Sequence, residues 1–207
     1  MRRIVTFNWM SADGFFSGPD GDLSWVVPDD EQRIRAAHDI SQFDAAIFGR
    51  KTYELFSAFW PRALDDPQTA PDPHHPGERS REHRVIALAL NAIDKLVFST
   101  TLGVPAWTNT RVHRRFDPSA IAAMKGREGK DIIVWGSGSI VSQLAAHDLI
   151  DEYQFVICPV ILGHGRMLMN DLPRPVAVER AEAQPYRSGD LMLRYERSGA
   201  RGSARPR

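Results

Sequence analysis

Short apolar runs that end on glycine and lead straight into helical sequence set the strongest limit on how this chain can fold. Ala45-Ala46-Ile47-Phe48 ends in Gly49, and Ile132-Ile133-Val134-Trp135 ends in Gly136. Each run is too short for a helix and rich in β-branched or aromatic residues, so each reads as a buried strand. Each is followed by a helical pattern. Strands alternating with helices argue for an α/β protein with a mostly parallel central sheet.

The rest of the chain extends that pattern. Residues 4–10 read as a first strand, and the Gly-, Pro- and Asp-rich stretch 11–22 as a long loop. Pro28-Asp29-Asp30-Glu31 opens a helix, because proline suits the first turn and carboxylates complement its positive end. A further helix is expected from Lys51. The apolar runs 85–90 and 95–99 read as strands, and Asp117-Pro118-Ser119 as a capped helix start running to about Lys125. Another helix follows Gly136-Ser137-Gly138-Ser139 through Leu144. Residues 153–162 form a long apolar strand region. Runs 176–179 and 191–195 close the sheet as an antiparallel C-terminal edge. Pro61, Pro67, Pro71, Pro73 and Pro76 mark 61–84 as a surface excursion. One domain is expected over 1–197, followed by a disordered basic tail over 198–207.

Composition excludes several classes. The 207 residues carry 26 basic and 26 acidic side chains, for zero net charge. Nucleic-acid binding by counterion release needs clustered excess basic charge. A single cysteine, Cys158, cannot pair within the chain and reads as an inert core thiol. No apolar run is long enough for a membrane span, and the start lacks the apolar core of a secretory signal. A cytoplasmic protein is therefore expected, with no nucleic-acid or membrane partner.

Two turns carry chemistry. Gly49-Arg50-Lys51-Thr52 stands where a buried strand passes into a helix. Glycine permits close backbone approach, the first helical N–H groups lack internal partners, and two cations stand beside them. That set suits a phosphate, although a strand–helix turn with two solvated basic residues has the same letters. Gly136-Ser137-Gly138-Ser139-Ile140 makes a second anion-binding helix start without the third glycine of the Rossmann fingerprint. Two such cradles on one sheet edge suit a dinucleotide. Trp25-Val26-Val27-Pro28-Asp29-Asp30 adds an indole and carboxylates at a helix start, where they serve a site or only the helix dipole. The histidines show no metal-ligand spacing, and no metal site is expected.

Taken in order, these motifs resemble the dihydrofolate-reductase-like superfamily, and within it the reductase domain of the bifunctional riboflavin-biosynthesis deaminase-reductases. Ser11-Ala12-Asp13-Gly14 is similar to the Ser-x-Asp-Gly of that branch, and Trp25 to Asp30 to the Trp-x-x-Pro-x-Asp of dihydrofolate reductases. Gly49-Arg50-Lys51-Thr52-Tyr53-Glu54 resembles the NADPH motif, and Phe98-Ser99-Thr100-Thr101 the strand end beside the 2′-phosphate. Gly136-Ser137-Gly138-Ser139 resembles the turn under the pyrophosphate. Asp151-Glu152 and Pro159-Val160-Ile161-Leu162-Gly163-His164-Gly165 resemble the branch-specific Asp-Glu and Pro-x-x-x-Gly-x-Gly signature. The His-x-Glu and Pro-Cys-x-x-Cys elements of the deaminase half are missing, so a stand-alone reductase is expected.

The resemblance implies an NADPH-dependent oxidoreductase that delivers hydride to a C=N or C=O of a ribosylamino-pyrimidine or similar heterocycle. It implies cofactor contacts at Gly49, Arg50, Lys51, Thr52, Ser99, Thr100, Gly136, Ser137, Gly138, Ser139 and Ile140. It assigns substrate anchoring and proton supply to Asp30, with Asp13 second and Trp25 as a pocket wall, and it implies a homodimer. The alternatives are a true dihydrofolate reductase and an NADPH-binding module without turnover.

Overall fold

The computed structural model describes residues 1–28, 30–65 and 80–199. Its strands are β1 (Ile4–Ser11), β2 (Phe15–Ser17), β3 (Phe43–Gly49), β4 (Asp94–Phe98), β5 (Thr110–His113), β6 (Asp131–Trp135), β7 (Glu152–Cys158), β8 (Arg166–Met167), β9 (Val178–Pro185) and β10 (Leu191–Arg197). Its α-helices are α1 (Asp30–Asp39), α2 (Arg50–Phe59), α3 (Arg81–Ala92), α4 (Pro118–Lys125) and α5 (Gly138–Ala146). Eight strands form one sheet in the order β5-β4-β3-β6-β1-β7-β10-β9. Pairing is parallel from β5 across to β7, and β10 runs antiparallel to both β7 and β9. The final strands therefore do more than close an edge: β10 is inserted, and β9 takes the rim.

Alternation along the strands divides the core. Ile4 of β1, Ala45 and Ile47 of β3, and Ile132 and Val134 of β6 pack with Ile121 of α4 and Val141 and Leu144 of α5. Val5, Ala46, Phe48 and Ile133, one residue along on the same strands, pack on the other side with Tyr53 of α2 and Ile86 and Leu90 of α3. A side-chain period of two separates the two layers. It also sends the helices after β3 and β6, neighbouring strands, to opposite faces. Ligands of open α/β sheets bind at such a crevice, outside the strand C-termini.

Three expectations need correction. Run 85–90 lies in helix α3, not a strand: its buried residues His83, Ile86, Ala87 and Leu90 recur at helical spacing, while Val85 and Leu88 are 40% and 57% exposed. The Ser80 side chain caps it by accepting from the His83 N–H at 3.2 Å. Loop 11–22 contains β2, which pairs with β8. The proposed excursion is helical from Arg81 and begins with a 3₁₀ turn at Trp60–Arg62. Residues 66–79 and the tail over 200–207 lie outside the described residues. No helix among the described residues is long and apolar enough to cross a membrane.

Charge knits the C-terminal strands to the sheet. Glu152 of β7 is 1% exposed, and both its oxygens accept from Arg194 of β10 at 2.9 Å. Arg194 also reaches Glu182 of β9 at 2.9 Å, and Arg35 of α1 reaches the same carboxylate at 3.0 Å. Burial is the largest influence on the Glu152 carboxyl and raises its pKa, but the hydrogen bonds and charge of Arg194, with Gln154 and Arg3, together outweigh it and the net shift is downward. The Arg35 hydrogen bonds lead in lowering Glu182, against its burial, to about 2.

Candidate active site

The turns after β3 and β6 meet at one hydroxyl. The Gly49 N–H donates to Ser137 Oγ at 2.8 Å, and the Thr52 hydroxyl lies 2.9 Å from the same oxygen. This contact leaves no room for larger residues. A Cβ on Gly49 would stand 2.5 Å from Ser137 Oγ, and one on Gly138 would stand 2.9 Å from the Leu168 carbonyl. Gly136 and Ser137 have φ of 54° and 56°. Only glycine adopts that region without strain, so Ser137 holds its conformation against a cost of about 1–3 kcal/mol.

Around this junction runs a cleft of about 700 Å³. Every cofactor residue expected from the sequence lines it: Gly49, Arg50, Lys51, Thr52, Ser99, Thr100, Gly136, Ser137, Gly138, Ser139 and Ile140. Sequence reasoning missed Arg114, Arg115 and Arg166, which also line it and extend its positive charge. Arg114 is tied to the Ser99 and Leu102 carbonyls at 3.2 and 2.6 Å, and Arg50 to Glu54 at 2.9 Å. The signal for Arg114 and Arg115 was their place just after β5, a strand the sequence did not reveal. Asn8, 3% exposed on β1, lines the cleft with its Oδ1 unpaired. A buried carbonyl oxygen without a donor is a site for a ligand N–H.

A second cavity of about 260 Å³ opens beside the cleft. The two share Phe7, Trp9, Leu23, Leu55, Phe56 and Trp135 as common wall. Gln32 of α1 faces this cavity and is 8% exposed. Its amide donates to the buried Asp190 carboxylate, and its oxygen accepts from Trp9 Nε1 at 3.4 Å.

The residues expected to do the chemistry stand elsewhere. Asp30 is the first residue of α1, its side chain is 82% exposed and paired with Arg33, and it lines neither cavity. Helical spacing explains this: Asp30 and Ile34 share the outer face, and the inward place in the first turn goes to Gln32. Asp13 is exposed and accepts from the Leu162 and Gly163 N–H groups at 3.1 and 2.7 Å. Its carboxyl pKa is lowered, chiefly by a hydrogen bond from Ser11. It fastens the 11–22 loop to the 159–165 segment. Trp25 packs with Met192, Tyr186 and Cys158, outside the lining of both cavities. The loop contributes Phe16, Ser17, Asp20 and Gly21 to the cleft.

The arrangement fits a long polyanion with a flat end group. Two glycine-walled helix starts and a row of cations suit phosphates. The orphaned Asn8 oxygen and the aromatic wall suit a planar amide-bearing ring. Among the described residues no group of three or more His, Cys, Asp or Glu side chains is set to hold a metal.

Comparison with known proteins gives the family and the fold. Residues 2–191 match the family model of the RibD C-terminal domain. The uncharacterized protein YyaP of Bacillus subtilis (strain 168) is 24% identical over 198 residues, covering 96% of either chain. A Shewanella sp. PV-4 protein named for riboflavin biosynthesis superposes with a TM-score of 0.67 at 18% identity, over 95% of this chain and 99% of its own. Dihydrofolate reductase from Enterococcus faecalis, solved with NADP(H), superposes with a TM-score of 0.58 at 13% identity, over 95% of this chain and 96% of its own. At these identities the superpositions show a shared fold.

Proposed function

The chain belongs to the RibD C-terminal domain family, and from that premise we propose that it is an NADPH-dependent reductase acting on a C=N or C=O group. One observation carries the reading. The glycine turns of adjacent strands meet at Ser137, open onto a cleft with cations along it, and share an aromatic wall with a second cavity. Gly136 to Ile140 cradle the pyrophosphate, while Arg50, Lys51, Thr52, Ser99 and Thr100, joined by Arg115, bind the 2′-phosphate. Bound NADPH supplies a hydride. Asn8 would be the group to meet the carboxamide of a nicotinamide, and the shared wall of Phe7, Trp9 and Trp135 would exclude water from the reacting rings.

Gln32 occupies the inward position on α1. An amide orients a substrate but does not titrate, so it favours this reading over a true dihydrofolate reductase, where a carboxylate supports protonation. Substrate reduction then draws its proton from solvent, with Asp30 and Asp13 acting on the helix and loop that frame the site. The test is fluorescence titration of the full chain with NADPH and NADH. Arg50→Ala and Arg115→Ala are expected to weaken NADPH about tenfold, the value of a lost charge-assisted phosphate contact, and NADH less than about twofold. Equal loss for both cofactors overturns the 2′-phosphate assignment. NADPH binding without oxidation across pyrimidine, pterin and carbonyl substrates points instead to a binding module.

A further inference from the structure

We infer that the aromatic cavity beside the cleft takes an uncharged, flat, largely aromatic carbonyl compound rather than a phosphorylated ribosylamino-pyrimidine. The inference rests on the reductase reading and names the substrate class of that same site. The walls set the first limit: Phe7, Trp9, Phe56, Phe59, Trp60 and Trp135 all face the cavity. Several stand within stacking range of one another, Phe56 and Trp135 at 5.4 Å and Phe56 and Trp60 at 6.4 Å between centroids. Such walls favour a planar apolar guest.

The second limit is charge. The cations that line the cavity among the described residues are already engaged. Arg33 pairs with Asp30. Arg35 binds Asp39 at 2.7 Å, Glu182 at 3.0 Å and Gln184 at 2.8 Å. A phosphate entering here must break these pairs or lie unpaired against aromatic rings, and burying an unpaired charge is strongly unfavourable. The third limit is size. At about 260 Å³ the cavity is below the roughly 300 Å³ at which pockets for drug-sized ligands begin: it takes a fused bicycle, and the ribose phosphate of a larger guest would have to lie outside it. Of the other polar groups in the lining, Gln32 is already held between Trp9 and Asp190 and Gln154 to Glu152, while His83 and Tyr186 also face the cavity. For the hydride to arrive from the cleft, the guest's carbonyl must stand at the wall that the cavity and the cleft share. Its reduction consumes one hydride from NADPH at the carbonyl carbon and one solvent proton at the oxygen, giving the alcohol and NADP⁺.

The experiment is calorimetric titration of the full chain, first with NADPH and then, loaded with NADP⁺, with isatin, 1-indanone or 5-amino-6-ribosylaminouracil 5′-phosphate. Failure to bind NADPH sinks the underlying reductase reading. In the NADP⁺-loaded chain the inference expects both bicyclic ketones to bind below about 1 mM and at least about tenfold more tightly than the phosphorylated pyrimidine. The reverse order, or no heat from either ketone, overturns it. Trp60→Ala, which lies outside the cofactor cleft, is expected to weaken the ketones about tenfold and NADPH less than about twofold. Should that variant lose NADPH binding through misfolding, Phe59→Leu serves in its place, with a smaller loss for the ketones alone. Unchanged ketone affinity in a variant that still binds NADPH overturns the assignment.

Discussion

Ser137 keeps a left-handed backbone because its hydroxyl is the meeting point of two turns. The Gly49 amide and the Thr52 hydroxyl both depend on it, and a methyl group on Gly49 would press into it at 2.5 Å. Gly49→Ala is therefore expected to destabilise the fold by about 1–3 kcal/mol, as overpacking does, and to abolish NADPH binding. Urea denaturation and cofactor titration read the two effects. Lys95 makes a different kind of demand. It is fully buried, donates to the Ile93 and Thr108 carbonyls at 2.8 and 3.2 Å, and lies 4.5 Å from the centre of the Trp107 ring. Burial lowers its pKa from 10.5 to about 8. The unfolded chain holds that proton more tightly, so this residue makes stability rise with pH from about 8 to about 10.5. Cys158, raised by burial from 9.0 to about 12, contributes the opposite slope above about 9. Comparing Lys95→Met with its parent, both carrying Cys158→Ala, isolates the lysine. The rise between pH 8 and 10.5 is expected to vanish in the methionine variant, and denaturation midpoints across that range check it.

Among the elements, the loop after β1 depends on fasteners rather than on its own sequence. Strand β2 pairs with β8, and Asp13 bonds the Leu162 and Gly163 amides. Asp13→Ala is expected to speed proteolytic cleavage within 11–22 and NADPH dissociation, without loss of the sheet. Limited proteolysis and stopped-flow displacement measure these. The β3 and β6 strands, their glycine ends and the helices after them were legible in the sequence because short buried strands and helix starts are local signals. Helix α3 was not, since Val85 to Leu90 is continuously apolar and only tertiary packing shows which side is covered. Strand β5, edge-placed and half exposed, carried no apolar run, and Arg114 and Arg115 went unread with it. The carboxylates near Pro28 were correctly placed at a helix start. Which of them faced inward depended on where the first turn begins, and a shift of two residues gave that place to Gln32.

For the molecule as a whole, zero net charge conceals two organised regions. Cations line the cleft, and a chain of alternating charges runs from Arg35 through Glu182 and Arg194 to Glu152 and Arg3. This chain links helix α1 to the three strands β9, β10 and β7 and to Arg3, just ahead of β1. Glu182 falls from 4.5 to about 2 on folding, so its contribution is fully present above about 4.5 and is lost as pH drops toward 2. Glu182→Gln is expected to cost about 1–2 kcal/mol at pH 7, as a partly buried ion pair does, and to flatten the acid limb of the stability curve. Chemical denaturation at intervals from pH 7 to 2.5 measures both.

Strand β1 lies between β6 and β7, paired with residues 132–135 on one side and 152–158 on the other. Strand β1 thus waits for partners made more than a hundred residues later. Nascent chains shorter than about residue 158 expose a bare, apolar central strand, which makes them clients for chaperones. Closing so long a loop before any reward is gained sets folding on the slow, millisecond-to-second side of the range for domains of this kind.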